Sequence, residues 1–207
     1  MKQSLLILVL IVSTATSLRA QQVRLGPEAG IGFTNMAFQE NGIKQKPSSL
    51  KGLRAGFIAD VKVNDIVSFQ PGLLYAAKGY KTSKTAIKTN NIEMPLNLQG
   101  KFLFGPGFFF VGGGPYLGYV LGGKTTMGLD GETSDQKTAI KIGSTAADDL
   151  RPLDIGMNLN TGYLVKNGIF VRANAGFGLR NLQPEGNTGF SKRNASLSFT
   201  IGYLLGK

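Results

Sequence analysis

The chain has 207 residues, enough for one domain or one barrel, and carries 29 Gly but no Cys, His or Trp. Hydrophobic residues make up 42% and charged residues 17%, which excludes a typical disordered chain. The formal net charge is +11; the missing Cys excludes a disulfide framework and a lipid-modified N-terminal Cys, and the missing His removes the commonest general base and metal ligand.

Residues 1–20 have the layout of a secretory signal peptide. Lys2 is the positive start, 5–12 is an unbroken apolar run, and 13–20 is small and polar up to Leu18-Arg19-Ala20. The run is too short for a membrane-spanning helix. Cleavage is expected after Ala20, which leaves 21–207 as a barrel domain, still strongly basic after loss of Lys2 and Arg19. Export removes the chain from nucleic acid. Its charge then suits anionic lipid and lipopolysaccharide phosphates, or serves solubility alone.

Beyond the signal, apolar residues alternate with small or polar ones at the period of two that marks strands. In 24–35, Leu25, Ala29, Ile31 and Phe33 oppose Gly26, Glu28, Gly30, Gly32 and Thr34. In 52–62, Leu53, Ala55, Phe57, Ala59 and Val61 oppose Arg54, Gly56, Asp60 and Lys62. In 66–78, Val67, Phe69, Leu73 and Tyr75 oppose Ser68, Gln70, Gly72 and Lys78. In 92–104, Ile92, Met94, Leu96, Leu98 and Phe102 oppose Glu93, Asn97, Gln99 and Lys101. The run 108–122 is apolar on both faces, and Gly112-Gly113-Gly114 suggests a bend or bulge. In 153–164, Leu153, Ile155, Met157, Leu159 and Tyr163 oppose Asp154, Gly156, Asn158, Asn160 and Gly162. In 169–180, Val171, Ala173, Ala175, Phe177 and Leu179 oppose Arg172, Asn174, Gly176, Gly178 and Arg180. In 194–205, Ala195, Leu197, Phe199, Ile201 and Tyr203 oppose Ser196, Ser198, Thr200 and Gly202.

Eight strands result, joined by two alternating kinds of connection. Val63-Asn64-Asp65, Gly105-Pro106-Gly107 and Lys166-Asn167-Gly168 are tight turns. The connections 36–51, 79–91, 123–152 and 181–193 are long and polar. The fold expected is all-β: an eight-stranded antiparallel up-and-down transmembrane β-barrel with short periplasmic turns and long extracellular loops.

A soluble barrel would also alternate, with its apolar face inside. Two features argue for the reverse. Glycine sits mostly on the polar face, where a narrow lumen needs small residues and open water does not. Apolar-face aromatics fall in two belts: Phe33, Tyr75, Tyr119 and Phe177 toward the long loops, and Phe69, Phe102, Phe104, Tyr163 and Tyr203 toward the short turns. The polar face carries Glu28, Arg54, Asp60, Lys78, Glu93, Lys101, Asp154, Arg172 and Arg180, with Arg24 and Lys62. An eight-stranded barrel has room for little but side chains, so these are expected to form a structural ion-pair and hydrogen-bond network. A narrow conduction path through the same residues is the alternative.

Several segments resemble the PorT-like outer-membrane β-barrel family of Bacteroidetes: Gln70-Pro71-Gly72-Leu73-Leu74-Tyr75 with Lys78-Gly79-Tyr80, Ile92-Glu93-Met94-Pro95-Leu96, Gly114-Pro115-Tyr116-Leu117-Gly118-Tyr119, and Gly178-Leu179-Arg180-Asn181-Leu182 with Lys192-Arg193-Asn194. The resemblance spans nearly the whole mature chain. Two positions depart from it: Gly72 stands where an acid often follows the proline, and the chain ends Leu205-Gly206-Lys207 rather than on an aromatic residue. The resemblance implies an outer-membrane barrel, with some relatives tied to secretion and gliding machinery, and no catalytic residues to transfer.

Motifs for chemistry are weak. Ser48-Ser49-Leu50-Lys51 matches S-x-x-K without its partner motifs. Asp130, Glu132, Asp135, Asp148 and Asp149 share one connection but match no standard Ca²⁺ loop, so solvated charge is the favoured reading. No cofactor or metal site is expected. The function expected is a non-enzymatic structural or interaction component, with extracellular loops, 123–152 above all, that bind a partner protein or surface glycan. A small transport pore is the alternative, and a lipid-modifying enzyme without His is the weakest reading.

Overall fold

The computed structural model describes residues 22–206 apart from 41–42, 46, 83–84, 130–131 and 185–189. The expected signal peptide, 1–20, lies outside the described residues. Within them every regular element is a strand: β1 (Val23–Glu40), β2 (Ile43–Gln45), β3 (Ser48–Lys62), β4 (Val67–Lys81), β5 (Thr85–Phe104), β6 (Gly107–Leu129), β7 (Glu132–Ala139), β8 (Leu153–Val165), β9 (Ile169–Gly178) and β10 (Phe190–Tyr203). Eight of them make the wall, each antiparallel to its neighbours, and β1 pairs with β10 to close it. The short β2 and β7 lengthen hairpins on the long-loop side.

Following paired neighbours from Val23 leads through Val61, Phe69, Leu98, Gly113, Leu159, Ala175 and Leu197 back to β1 at Phe33, not at Val23. This offset is the stagger of a closed barrel, and it inclines the strands to the axis by about 35–45° in such folds. The tight turns match their residues. The Asn64 side-chain oxygen accepts from the amides of Ile66 (2.9 Å) and Val67 (2.7 Å). Gly105 and Gly168 take positive φ, 56° and 98°, where a side chain would be strained.

The side chains face as the alternation requires. Leu25, Leu53, Phe57, Leu73, Leu98, Leu159, Phe199 and Ile201 are exposed on the outer wall, and the polar face is buried inside. The belt aromatics Phe33, Phe102, Phe104, Tyr119, Phe177 and Tyr203 are likewise exposed. Phe102 pairs with Phe109 and Phe109 with Tyr163, a cross-strand aromatic row beside the short turns.

Two expectations are corrected. The connections 36–51 and 79–91 are largely strand, and 123–152 is strand in its first half, because β1, β4, β5 and β6 run on beyond the apolar stretch. Above the hydrocarbon the paired backbone, not side-chain alternation, carries the strand, so the pattern stops before the hairpin does. The bend expected at Gly112-Gly113-Gly114 is also absent. β6 pairs with β8 without interruption from Gly107 to Tyr119, and the register shifts fall at Ser49/Arg54, Asn90/Asn91 and Met127/Leu129. The glycines serve packing there: a Cβ on Gly112 would crowd the Gln99 side chain at 2.8 Å, and one on Gly113 the Leu159 side chain at 3.0 Å.

Candidate functional site

Three groups of polar side chains fill the lumen. Toward the long loops, Lys78 on β4 pairs with Glu93 on β5 and donates to Asp154 on β8 at 3.0 Å. Glu93 also holds Arg54 from β3. The same Asp154 oxygen accepts from the Asn194 amide at 2.8 Å and the Tyr116 hydroxyl at 3.2 Å, and the Lys78 ammonium lies 4.9 Å from the Tyr116 ring centre. In the second group, Arg172 on β9 donates to Glu28 on β1 at 2.9 Å and to Gln70. Gln99 donates to Gln70 and to Asn160, each at 2.9 Å. The Arg172 guanidinium lies 5.1 Å from the Phe170 ring centre and 5.7 Å from that of Phe110. In the third group, at the short-turn mouth, Asp60 accepts from Arg24 (2.8 Å) and from Lys101 (2.5 and 2.7 Å). A buried charge is tolerated when it is paired and hydrogen-bonded, and the first two groups meet that condition.

Apolar clusters close the lumen around this network. Ile58, Leu74, Phe110, Leu164, Phe170 and Leu204 pack together, with Phe108 against them. Toward the long loops, Met36, Tyr80, Val120, Leu150 and Leu182 form a second cluster, with Ile87, Ile140 and Ile142 on it. Inward aromatics lie over glycines directly opposite in register: Phe110 over Gly162, Tyr116 over Gly156 and Phe170 over Gly202. A Cβ on any of these glycines would overlap the ring. Large rings set against absent side chains thus pack the lumen between its two mouths.

The external rim is tied together by its backbone. The Arg151 amide donates to Leu182 O at 2.9 Å, and the Leu182 amide to Lys192 O at 2.9 Å. The Asn181 side chain accepts from Gln183 and Lys192 amides. Asp149 accepts from the Lys141 amide at 2.9 Å, and Asp148 from the Thr145 amide (2.9 Å) and hydroxyl (2.6 Å). The Thr145 contacts hold the Asp148 carboxyl below its ordinary range. Lys88 on β5 and Lys124 on β6 are direct cross-strand partners, both exposed. Among the described residues no group of three or more metal-ligating side chains occurs, and Ser48 and Ser49 of the S-x-x-K match are exposed on β3. Asp130 lies outside the described residues.

Of the nine polar residues picked from the sequence, eight lie in these groups: Glu28, Arg54, Asp60, Lys78, Glu93, Lys101, Asp154 and Arg172. Arg180 is not brought to them. β9 ends at Gly178, and Arg180 lies half-buried at the rim with no ion pair among the described residues. The inward apolar residues Ile58, Leu74, Phe110, Leu164 and Phe170 were not picked. For Ile58, Leu74, Phe110 and Phe170 the signal is the glycine opposite, which becomes visible only once the register is known; Leu164 instead sits between Phe108 and Phe170.

An apolar wall, two interfacial aromatic belts and a paired polar lumen inside eight closed strands define a transmembrane β-barrel of the outer membrane. The chain belongs to the outer membrane protein β-barrel domain family, whose sequence model matches residues 19–183, and it resides in the outer membrane. No curated protein matches it significantly. Similar solved structures include the Neisserial surface protein NspA (16% identity, TM-score 0.44, 87% of this chain and 96% of that one). They also include Ail of Yersinia pestis (9%, 0.42, 87% and 98%) and OprG of Pseudomonas aeruginosa (12%, 0.42, 90% and 98%). At these identities the likeness concerns the fold alone.

Proposed function

We propose that this outer-membrane barrel works through its external rim, as a non-enzymatic structural or interaction component that binds a partner protein or a surface glycan. The observation that carries the reading is the lumen, filled by paired charges between two apolar clusters, while the long-loop side builds a braced platform from the β1/β2, β4/β5 and β6/β7 hairpins and residues 140–152. Lys88 and Lys124, exposed and facing one another across the ladder, favour anionic groups such as lipopolysaccharide phosphates or acidic glycans at that rim. The resemblance to PorT-like barrels supports secretion machinery as a partner class. The same reading takes 1–20 as the cleaved export signal and 21–207 as the barrel.

Replacing 127–149 by a short turn tests it. The shortened barrel should keep its heat-modifiable migration on a gel and lose the partners that the full barrel retrieves from native outer membrane. Unchanged retrieval would overturn the reading. Purified full-length barrel should give no single-channel steps in a planar bilayer; reproducible steps would favour a pore.

A further inference from the structure

The short-turn mouth of the lumen differs from the interior in its charge balance. Among the described residues, the deeper buried cations Arg54, Lys78 and Arg172 meet the buried carboxylates Glu28, Glu93 and Asp154 in equal number. At the mouth, Asp60 alone answers both Arg24 and Lys101. The Asp60, Lys101 and Arg24 side chains are 2%, 12% and 25% exposed, so one cation in a poorly hydrated place has no counter-charge. Such a group is costly unless an anion joins it. Lys62 is paired with Asp65 at the exposed edge and leaves the balance unchanged.

The register gathers these groups around one cavity. Arg24 pairs with Asp60, Ser68 pairs with Lys62 and with Gln99, and Lys101 lies two residues beyond Gln99 on the same face. The cavity has a volume of about 200 Å³; Arg24, Lys62 and Lys101 against Asp60 and Asp65 leave its lining one positive charge in excess, with Ser68 beside them and Phe108 as an apolar wall. Ser68 is 1% exposed, and its hydroxyl has no hydrogen-bond partner among the described residues. A buried hydroxyl without a partner beside a polar cavity calls for an acceptor there. Both Asp60 oxygens are engaged, whereas Arg24 donates to Asp60 through one nitrogen of a five-donor fork. The space exceeds that of a single water, roughly 30 Å³.

We propose that this cavity is a phosphate site, where a tetrahedral oxyanion takes hydrogen bonds from Arg24, Lys101 and the Ser68 hydroxyl and supplies the missing negative charge. The phosphate comes either from an inner-leaflet phospholipid headgroup or from the free periplasmic ion. The site lies at the end of the barrel opposite the rim and stands independently of the function proposed for it.

The test is amide NMR of ¹⁵N-labelled full-length barrel in a phosphate-free alkyl maltoside, titrated with inorganic phosphate and, separately, with short-chain phosphatidylglycerol. Saturable shifts confined to the neighbourhoods of Arg24, Ser68 and Lys101 are expected. Response to the lipid alone assigns the headgroup, and response to both assigns the shared phosphate chemistry. Ser68→Ala should weaken binding about tenfold while the rest of the spectrum superposes, and Ser68→Thr should retain it. No saturable shift with either probe, equal shifts with chloride at matched ionic strength, or unchanged binding in Ser68→Ala would overturn the proposal.

Discussion

Lys78 and Asp154 are 76 positions apart in the chain, yet the Lys78 Nζ and the Asp154 Oδ2 meet at 3.0 Å inside the barrel. Lys78 also holds Glu93, so one ammonium balances two carboxylates on two strands. Lys78→Met should destabilise the barrel by about 3–5 kcal/mol, because it leaves buried carboxylates uncompensated. Adding Asp154→Asn should recover part of the loss, since Glu93 keeps Arg54. Urea unfolding in micelles measures both; a stable single variant would contradict the pairing.

Gly202 seats the Phe170 ring from the neighbouring strand. Gly202→Leu should cost about 1–3 kcal/mol by overpacking, or block assembly. Gly202→Leu with Phe170→Ala should restore folding in part. The fraction of folded, fast-migrating band in unheated samples reads this directly. No rescue by the second change would count against the ring–glycine fit.

The outer wall makes a depth-dependent prediction. Leu159 is exposed at the centre of β8, and Phe104 is exposed on the same outer wall beside the 105–106 turn. Leu159→Arg should cost about 2–4 kcal/mol and Phe104→Arg about 0–1 kcal/mol, as expected for midplane and interface. Unfolding titrations in vesicles would give the ranking, and a reversed order would refute the placement of the bilayer.

The rim segment has a pH signature. The Thr145 amide and hydroxyl hold the Asp148 carboxyl below its ordinary 3.8. A lowered folded-state value means the contact is fully present above the ordinary range and is lost as pH falls through the lower value. Hydrogen exchange at the Thr145 amide should therefore stay protected from neutral pH down to about pH 4 and loosen only in stronger acid. Loosening already near pH 6 would exclude this cap.

The outward face was legible in seven of the eight stretches, because Leu25, Ile31, Phe33 and their counterparts alternate there; in 108–122, apolar on both faces, it was not. Which charges share the lumen was legible for the same reason. Their partners were not, since Lys78 and Asp154 meet through a barrel closure that no local pattern encodes. Ile58, Leu74 and Phe170 escaped notice because a narrow lumen needs volume as well as polarity, and their complement is a glycine on another strand. Arg180 keeps the parity of β9 but lies past its last paired residue, where parity no longer sets direction.

The most direct test of the membrane-facing wall uses the absence of cysteine, which allows one spin label per variant. Single cysteines at residues 156–161 on β8 would be labelled in vesicles and probed with oxygen, which partitions into hydrocarbon, and with a water-soluble nickel chelate. Labels at Met157 and Leu159 should be open to oxygen and closed to nickel, while labels at Asn158 and Asn160 should be closed to both. Nickel access at Met157 and Leu159, or the lack of any alternation, would contradict a barrel that turns its apolar face to lipid.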